Sequence, residues 1–400
     1  MSKWIKKKLA DVAKVSGGKR IPKGHSLTDV PNSHPYISVT SMRAGKINTC
    51  DLGFVPDVVV DSIKRYRVKQ GDIIVSVAGT LGLISKIPLD LDGANLTENA
   101  DRISEIKIDG EYLFQLLSSN IFQNYVAAQA TLNAQPKLSL DNLRSFSFDC
   151  PMDIEEQKKI AQILSTWDEA IDAVQELIDK KRRLKKALLS STFSKYLLSE
   201  EASSTVLDLL GNEGYISDGD WIESKDQDEN GRVRLIQLAD IGEGKFLNKS
   251  DRYMTQEKAD YLNCTFISGG EILVARMPDP LGRACIFPNM SGVYVTVVDV
   301  CIIKPSPKID PRWIVYLINS PRFRNEIEKR SSGTTRIRIS RKNLQKISFF
   351  LPSEEQRKKD VSVLSGLDEE LALLAQKKAL LSKQKKGLMQ QLLTGKINIK

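Results

Sequence analysis

Paired cysteines, histidines and long apolar runs are scarce in this sequence. The five cysteines are odd in number and include no C-x-x-C pair, which argues against a disulfide framework and against a zinc site. No stretch approaches the roughly 18 consecutive apolar residues of a membrane-spanning helix. Lysines at positions 3, 6, 7 and 8 interrupt the apolar region that a signal peptide needs. We therefore expect reduced thiols in a soluble, cytoplasmic protein.

Catalytic motifs are also missing. His25 and His34 lie in a turn-rich stretch without carboxylates or thiols at ligand spacing, so we interpret them as loop residues. The phosphate-binding loop G-x-x-x-x-G-K-[ST] does not occur, and residues 394–396 hold only a fragment of it. The acids and lysine of residues 57–64 resemble a metal-dependent nuclease core only faintly. Since a methyl-donor motif is absent too, the sequence predicts a non-catalytic chain that binds no metal and no cofactor itself.

Size and charge indicate several domains and a polyanionic partner. The chain has 400 residues, 41% of them hydrophobic, and so exceeds the roughly 250–300 residues that usually share one core. Its formal net charge is +9. Because a basic balance attracts polyanions non-specifically, it favours nucleic acid as the class of partner.

The strongest positive signal is an internal repeat. Residues 153–159 and 353–359 share a Glu-Glu-Gln motif that opens a long, charged segment of helical periodicity. Earlier in each half, the block Gly-Asp-Ile-Ile-Val at 71–75 corresponds to Gly-Glu-Ile-Leu-Val at 270–274, an offset of 199 residues. Self-similarity at a nearly fixed offset predicts two copies of one fold. The copies differ most in their loops, which favours related tasks with different specificities.

The repeat divides the chain into four segments. These are a first mixed domain at residues 1–152, a long helix at 153–200, a second mixed domain at 201–352 and a second long helix at 353–400. Within the first domain, β-rich runs at 36–39, 72–77 and 146–148 predict strands, and apolar spacing at 112–129 predicts one helix. The predicted fold class is α+β. Two similar mixed α/β domains are separated by two long antiparallel coiled-coil helices in a pseudo-twofold arrangement.

Apolar residues at alternating steps of three and four predict a seam between the long helices. Asp153 and Ser353 are placed to cap the two helices, and Gly395 to end the second. In both helices acids precede bases, which favours antiparallel packing. The predicted seam residues are Ile160, Ile163, Trp167, Val174, Leu177, Leu184, Leu188, Leu364, Leu367, Leu371, Leu374, Leu381 and Leu388.

Basic residues in loops are the candidates for contact with DNA. Arginine can read guanine in the major groove, whereas lysine suffices for phosphate. The alternative for any one of them is an ordinary solvated side chain. The second half has the denser run, around residues 331–335, and its counterpart at 129–142 is less basic, as expected if the halves read different sequences. The candidates are Lys19, Arg20, Lys23, Arg43, Lys64, Arg65, Arg67, Lys137, Arg144, Arg232, Arg234, Arg276, Arg283, Arg330, Arg336, Arg338, Arg341 and Lys342.

These features together resemble the DNA-specificity subunits of type I restriction-modification systems. The resemblance covers essentially the whole chain: two target-recognition domains, each followed by a helical spacer similar to residues 155–189 and 354–395. The repeated block at 71–75 and 270–274 also looks like that of the family. The duplicated order carries the resemblance, since no single motif is specific.

The resemblance implies a non-catalytic subunit that recognises a bipartite DNA site. Each domain would read one half of the site, and the paired helices would set the spacing between halves. Two methyltransferase subunits would dock on the helices and flip out a target adenine, and restriction subunits would join to cleave. S-adenosylmethionine, Mg²⁺ and ATP would then be bound by the partner subunits, and no membrane is involved.

Two other classes of function stay open. One is a coiled-coil scaffold without a DNA-reading role, and the other, disfavoured by the missing motifs, is a stand-alone DNA-modifying enzyme. Salt-dependent binding to random duplex DNA would separate the specificity subunit from the scaffold. Methylation by the purified chain alone would establish the enzyme.

Overall fold

The computed structural model describes residues 3–130, 137–198 and 204–397. It divides into two compact units: unit 1 comprises Met1–Gln175 and Gln376–Lys400, and unit 2 comprises Glu176–Ala375. Each unit contains one mixed domain and one part of each long helix. The sequence-based division had given each helix a segment of its own, whereas the compact units include the helices because parts of both helices pack into each core.

Unit 1 contains the first mixed domain. Its strands are β1 (Trp4–Lys8), β2 (Lys14–Gly17), β3 (Pro35–Ile37), β4 (Met42–Arg43), β5 (Lys46–Ile47), β6 (Gly53–Phe54), β7 (Ile73–Ser76), β8 (Ile84–Lys86), β9 (Asn95–Leu96), β10 (Ala100–Ser104) and β11 (Ser147–Pro151). Its helices are α1 (Leu9–Val12), α2 (Asp57–Ile63), α3 (Gly110–Ser118), α4 (Asn120–Ala130), α5 (Leu140–Ser145) and the first part of α6 (Ile154–Leu198).

Unit 2 contains the second mixed domain. Its strands are β12 (Ser204–Thr205), β13 (Tyr215–Asp218), β14 (Val233–Ile236), β15 (Arg252–Met254), β16 (Ile272–Ala275), β17 (Ala284–Ile286), β18 (Val293–Thr296), β19 (Val300–Lys304) and β20 (Ser348–Phe349). Its helices are α7 (Gln256–Tyr261), α8 (Pro311–Asn319), α9 (Pro321–Lys329), α10 (Arg341–Gln345), the second part of α6 and the first part of α11 (Glu354–Leu392). The remainder of α11 belongs to unit 1.

Both units are built on the same two sheets. The central antiparallel sheet has the order β2-β10-β7-β8 in unit 1 and β13-β19-β16-β17 in unit 2. The second sheet has the order β6-β3-β9 and β15-β14-β18, with a parallel pair in each. Ile73 lies opposite Ile103, and Ile272 lies opposite Ile303, all four fully buried. The predicted duplication of one fold is therefore confirmed.

The helix predicted at residues 112–129 is two helices in the structure, α3 and α4. Ser119 separates them: its hydroxyl donates to the Leu116 carbonyl at 2.6 Å and accepts from the Ile121 amide at 3.2 Å. A serine that satisfies amides at a helix start favours a new helix over continuation. The apolar periodicity continues across the break, which is why the sequence pattern did not reveal it.

Apolar side chains hold each mixed domain to the long helices. In unit 1, Leu113 and Leu116 of α3 share a core with Ile160 and Leu164 of α6 and with Met389 of α11. In unit 2, α8 packs in the same way, with Trp313 and Ile314 in one core with Phe193, Val361 and Leu364. Burying each such side chain contributes roughly 1.5–3 kcal/mol. Among the described residues, none of the helices combines the length and apolar character of a membrane span.

The long helices run antiparallel within each unit. In unit 1, Lys385 donates to Asp168, and Lys378, seven residues earlier, donates to Gln175, seven residues later. In unit 2, Lys185 pairs with Asp368, and Lys181 pairs with Glu370. In each unit, higher residue numbers in α6 therefore lie beside lower residue numbers in α11, as antiparallel packing requires.

Two predicted seam residues need correction. Leu177 is 39% exposed and Leu184 is 45% exposed, whereas Ile178, which the pattern did not single out, is buried. Lys181 and Lys185 occupy the following turns, with side chains only 27% and 19% exposed. An α-helix drifts against a strict seven-residue repeat, so the buried stripe has moved by one residue beyond Val174.

Candidate nucleic-acid interface

The densest basic candidates lie on one hairpin of unit 2, residues 330–342, here called the basic loop. Reciprocal backbone hydrogen bonds between Ser332 and Arg338, at 3.0 and 2.9 Å, close its base. Gly333 has a φ of 105°, and a Cβ there would lie 2.4 Å from the Arg336 carbonyl oxygen. Only glycine fits this turn without strain. The tip from Gly333 to Ile337 is exposed.

Arg276 is buried beneath the basic loop, with 6% exposure. Its Nε donates to the Ile339 carbonyl at 2.9 Å, and its Nη1 donates to the Val298 carbonyl at 3.3 Å and pairs with Asp218. The Ile339 amide donates back to the Arg276 carbonyl at 3.1 Å. The prediction that Arg276 contacts DNA is therefore wrong, because its guanidinium is buried and its Nε and Nη1 are bound to oxygens of the protein. It supports the loop from below.

Arg338 and Arg341 also engage the protein itself. Arg338 donates to the Val298 carbonyl at 2.7 Å and lies 3.4 Å from the Asp299 carboxylate. Arg341 lies 3.5 Å from the Asp218 carboxylate. Their side chains are 32% and 43% exposed, so both retain some access to solvent.

Arg336 and Lys342 differ from these anchors. Both are exposed, and among the described residues neither has a side-chain hydrogen bond or ion pair. Arg330, by contrast, pairs with Glu326. The loop thus has a braced base and a free arginine at its tip, an arrangement suited to binding phosphate or base edges.

Two further arginines of unit 2 are structural. Arg283 is 7% exposed, and its guanidinium donates to the carbonyls of Leu238, Ile241 and Pro280 at 2.6–2.9 Å. Its predicted DNA contact is wrong for the same reason as that of Arg276. The Arg234 side chain is 13% exposed and lies 3.7 Å from the buried Asp240, which leaves little of it for DNA, whereas Arg232 is exposed.

The unit 1 candidates are more dispersed and mostly exposed. Arg20 pairs with Glu98 at 2.5 Å and Arg43 with Asp51 at 3.0 Å, which partly neutralises them. Arg67 is half-buried, and the guanidinium carbon of Arg65 lies 4.8 Å from the centre of the Tyr66 ring. Four lysines are exposed, and only Lys64 has an ion pair among the described residues, with Asp61 at 3.6 Å. These lysines are Lys19, Lys23, Lys64 and Lys137.

A buried carboxylate lies near the corresponding region of unit 1. Asp101 is 4% exposed. Burial raises the pKa of its carboxyl to about 7, an effect that the charges of Lys137 and Arg144 partly oppose. Arg144 also donates to the Val15 carbonyl at 3.2 Å, as Arg341 of unit 2 does to the Ile216 carbonyl. Residues 131–136, on which part of the predicted counterpart loop falls, lie outside the described residues.

Sequence reasoning missed the acids that organise this region. Asp101, Asp218 and Asp299 were not among the candidates, because a search for polyanion contacts selects cations. The available signal was a dense group of arginines in a folded domain, since buried guanidinium groups require carboxylate or carbonyl partners. Within the described ranges, no three His, Cys, Asp or Glu side chains are placed to hold a metal ion.

A polar network joins each domain to the long helices at repeat-related positions. In unit 1, Asp168 accepts from Gln115 of α3 at 2.8 Å and from Lys385 of α11 at 2.6 Å. In unit 2, Asp368 accepts from Tyr316 of α8 at 2.8 Å and from Lys185 of α6. Burial and the hydrogen bond to Asp368 raise the pKa of Tyr316 above its usual range. In each unit, one carboxylate on a long helix therefore connects the mixed domain with both long helices.

The sequence matches the family model of the type I restriction modification DNA specificity domain twice, at residues 1–181 and 214–383. The chain belongs to this family. It is a DNA-specificity subunit of the type I restriction-modification class, and a recognition subunit rather than a catalytic one.

Curated relatives agree with this assignment over most of the chain, and a solved structure has the same fold. The putative type I restriction enzyme MjaX specificity subunit of Methanocaldococcus jannaschii is 26% identical over 92% of this chain and 88% of its own. The MjaVIII specificity subunit of the same organism is 25% identical over 99% and 93%. A chain from a structure of complex assembly and conformational transition of the type I R-M system has a TM-score of 0.61 at 17% identity, covering 98% of both chains. This last likeness concerns the fold.

Proposed function

We propose that unit 1 and unit 2 each read one half of a bipartite DNA site. The observation that supports this best is one fold used twice with different exposed basic residues: Arg336 and Lys342 in unit 2, and mainly Lys19, Lys23 and Lys137 in unit 1. A repeated scaffold with unlike loops suits two readers of different sequences. In unit 2, Arg336 would contact a base edge or phosphate, and Arg276, Arg338 and Arg341 would hold it in place.

The long helices would set the spacing of the two half-sites and dock two methyltransferase subunits. Helix α6 has 45 residues and α11 has 39, so at 1.5 Å per residue they are about 68 and 59 Å long. Half-sites one DNA turn apart are roughly 34–36 Å from centre to centre, a distance that such helices could span. The partner subunits would bind S-adenosylmethionine, Mg²⁺ and ATP, and restriction subunits would carry out cleavage.

The test is methylome sequencing of cells that carry the complete system with Arg336→Ala. We expect relaxed recognition at one or two bases of one half-site, since a bidentate arginine contact is worth about 1–3 kcal/mol of discrimination. The other half-site should be unchanged. Arg330→Ala is the matched control, because Arg330 already pairs with Glu326.

Two outcomes would contradict the proposal. If Arg336→Ala altered both half-sites together, the units would not be independent readers. If it left the motif and the affinity for DNA unchanged, the basic loop would not be the recognition element of unit 2. Exchange of residues 1–150 for those of another family member tests unit 1, and should change only the remaining half-site.

A further inference from the structure

Every exposed aromatic side chain among the described residues lies in unit 2. Trp221 is 70% exposed, Tyr261 is 77% exposed and Phe266 is 39% exposed. Single exposed apolar side chains are ordinary, but tryptophan and tyrosine dominate the energetics of protein interfaces when they occur together. Their counterparts by sequence position in unit 1 are not exposed aromatics, so this feature is not required by the shared fold.

A chain of contacts makes these aromatics part of one surface. The indole of Trp221 donates to Glu223 at 3.3 Å, and the Glu223 amide donates to Asp226 at 3.0 Å. Lys258 pairs with Asp226 at 3.0 Å, and its ammonium lies 5.3 Å from the centre of the Tyr261 ring.

The other end of the surface is fixed by Asp220. Its carboxylate accepts from the Thr265 amide at 2.8 Å, which places the backbone of Trp221 beside that of Phe266. We call this surface, residues 219–230 with 256–261 and Phe266, the aromatic face.

The charge of the aromatic face is opposite to that of the basic loop. Residues 219–230 and 256–261 contain seven carboxylates and two lysines, and both lysines are paired with acids of the face. The basic loop has five cations and no acid. Phosphate would be repelled from the aromatic face, whereas arginine would both pair with its acids and stack on its rings.

We propose that the aromatic face docks a basic surface of the methyltransferase partner, in addition to the contacts that the long helices make. The occupant must be cationic, because of the excess of carboxylates, and must bury aromatic rings, which points to a protein surface rather than to DNA. A subunit that acts on DNA carries basic residues at the margin of its DNA-binding surface, and such a margin would meet this face. The inference rests on the proposed assembly with a methyltransferase.

The test compares two double variants in the full chain: Trp221→Ala with Tyr261→Ala, and the control Leu207→Ala with Leu247→Ala. The control leucines belong to unit 2, are 52% and 41% exposed and lie outside the face. Titration with purified methyltransferase should show affinity about tenfold or more lower for the aromatic variant, as truncation of interface hot spots does, and unchanged for the control. Binding to random duplex DNA by the variant alone should be unchanged.

A single charge reversal, Glu229→Lys, gives a second test at an exposed residue. It should weaken binding to the methyltransferase and strengthen non-specific DNA binding, and it keeps the inference testable if the aromatic variant does not fold. If the aromatic variant lost DNA binding instead, the face would be a DNA contact and the inference would be wrong. Unchanged affinity for both partners would also overturn it. If the unaltered chain bound no methyltransferase, the proposed function itself would fail.

Discussion

The two units brace equivalent stretches of backbone with different side chains. In unit 1 the Leu138 amide donates to the Val77 carbonyl at 3.0 Å, and in unit 2 the Ile339 amide donates to the Arg276 carbonyl at 3.1 Å. The backbone contact is shared, but a small buried valine in one unit corresponds to a buried arginine in the other.

The aspartate next to this backbone contact lies on different strands of the central sheet in the two units. Gly17 of β2 lies opposite Asp101 of β10, whereas Asp218 of β13 lies opposite Cys301 of β19. Both units therefore have a carboxylate at the same pair of facing residues in the central sheet. In unit 1 it is on β10, and in unit 2 it is on β13, which is the counterpart of β2. The fold fixes where the loop is held, and the side chains beneath it are free to vary, which is what a scaffold for changing specificities requires.

Replacement of Arg276 should give the largest effect on this comparison. Arg276→Met keeps much of the volume but removes the guanidinium donor from the Ile339 carbonyl and one of two cationic partners from Asp218; the Val298 carbonyl still accepts from Arg338. We expect unit 2 to lose about 3 kcal/mol, the low end for a broken buried pair, because Asp218 is one-third exposed and retains Arg341. Native-state hydrogen exchange at the Ile339 amide should speed up accordingly, while the Leu138 amide of unit 1 should not change.

Arg330→Met is the control for this experiment. Arg330 forms an ion pair at the surface, which is worth at most about 1 kcal/mol. If both variants altered Ile339 exchange equally, burial of the guanidinium would not be what supports the basic loop. If Leu138 responded as well, the two units would not be independently braced.

The Asp168 network of unit 1 and the Asp368 network of unit 2, which connect each domain with the long helices, should differ in how much they stabilise their units. Lys385 places its ammonium 2.6 Å from both oxygens of Asp168, with a side chain 11% exposed, whereas the Lys185 side chain is 19% exposed and also lies over the ring of Tyr316. We expect Lys385→Met to destabilise unit 1 by about 2 kcal/mol and Lys185→Met to destabilise unit 2 by about 1 kcal/mol. Exchange of helix amides around Asp168 and Asp368 measures each.

If Lys385→Met and Lys185→Met destabilised their units by the same free energy, the expected difference between the two networks would be wrong. A charge exchange, Asp168→Lys with Lys385→Asp, checks that the pair acts through its charges. It should recover part of the stability lost by Lys385→Met, although Gln115 would then face a lysine instead of a carboxylate.

The sequence was sufficient for features that depend on local pattern. Helix α6 (Ile154–Leu198) agrees with the predicted segment 153–200 to within two residues, and α11 begins one residue after the predicted 353, because long periodic segments with caps are strongly specified. The end of α11 at Leu392 lies eight residues before the end of the predicted segment and three before Gly395, the predicted stop. The repeated blocks at 71–75 and 270–274 begin equivalent strands. The displaced seam at Leu177 and Leu184 shows the limit of a pattern, since small drifts in helical phase accumulate over many turns.

The candidate site depended on contacts that are distant in sequence. Arg276 and Arg336 look alike in the sequence, yet one is enclosed by Asp218, which lies 58 residues earlier, and the other is free. Which arginine is buried is decided by how β13, β16 and β19 pair. The neighbouring residues in the sequence do not distinguish a buried arginine that supports a loop from an exposed arginine at the tip of the loop.

The smallest expected effect concerns Asp101 and the pH. Its pKa of about 7 lies above the ordinary value for an aspartate, so the folded state holds the proton more tightly than the unfolded state does. The sign follows directly: stability contributed at this group is greatest at low pH and falls as the pH rises through 7. Between pH 6 and 7 the loss should be about 1 kcal/mol.

Asp101→Asn removes this titration and is nearly isosteric. The difference in stability between the unaltered chain and the variant should therefore shrink or reverse in favour of the variant as the pH rises from 6 to 8. Exchange at the Leu138 amide, compared between the two proteins at each pH, cancels the intrinsic pH dependence of exchange. The Ile339 amide serves as the internal control, because Asp218 is paired with Arg276 and Arg341. A pH-independent difference at Leu138 would mean that Lys137 and Arg144 keep Asp101 ionised, and that both units hold this pair of facing residues by ion pairs after all.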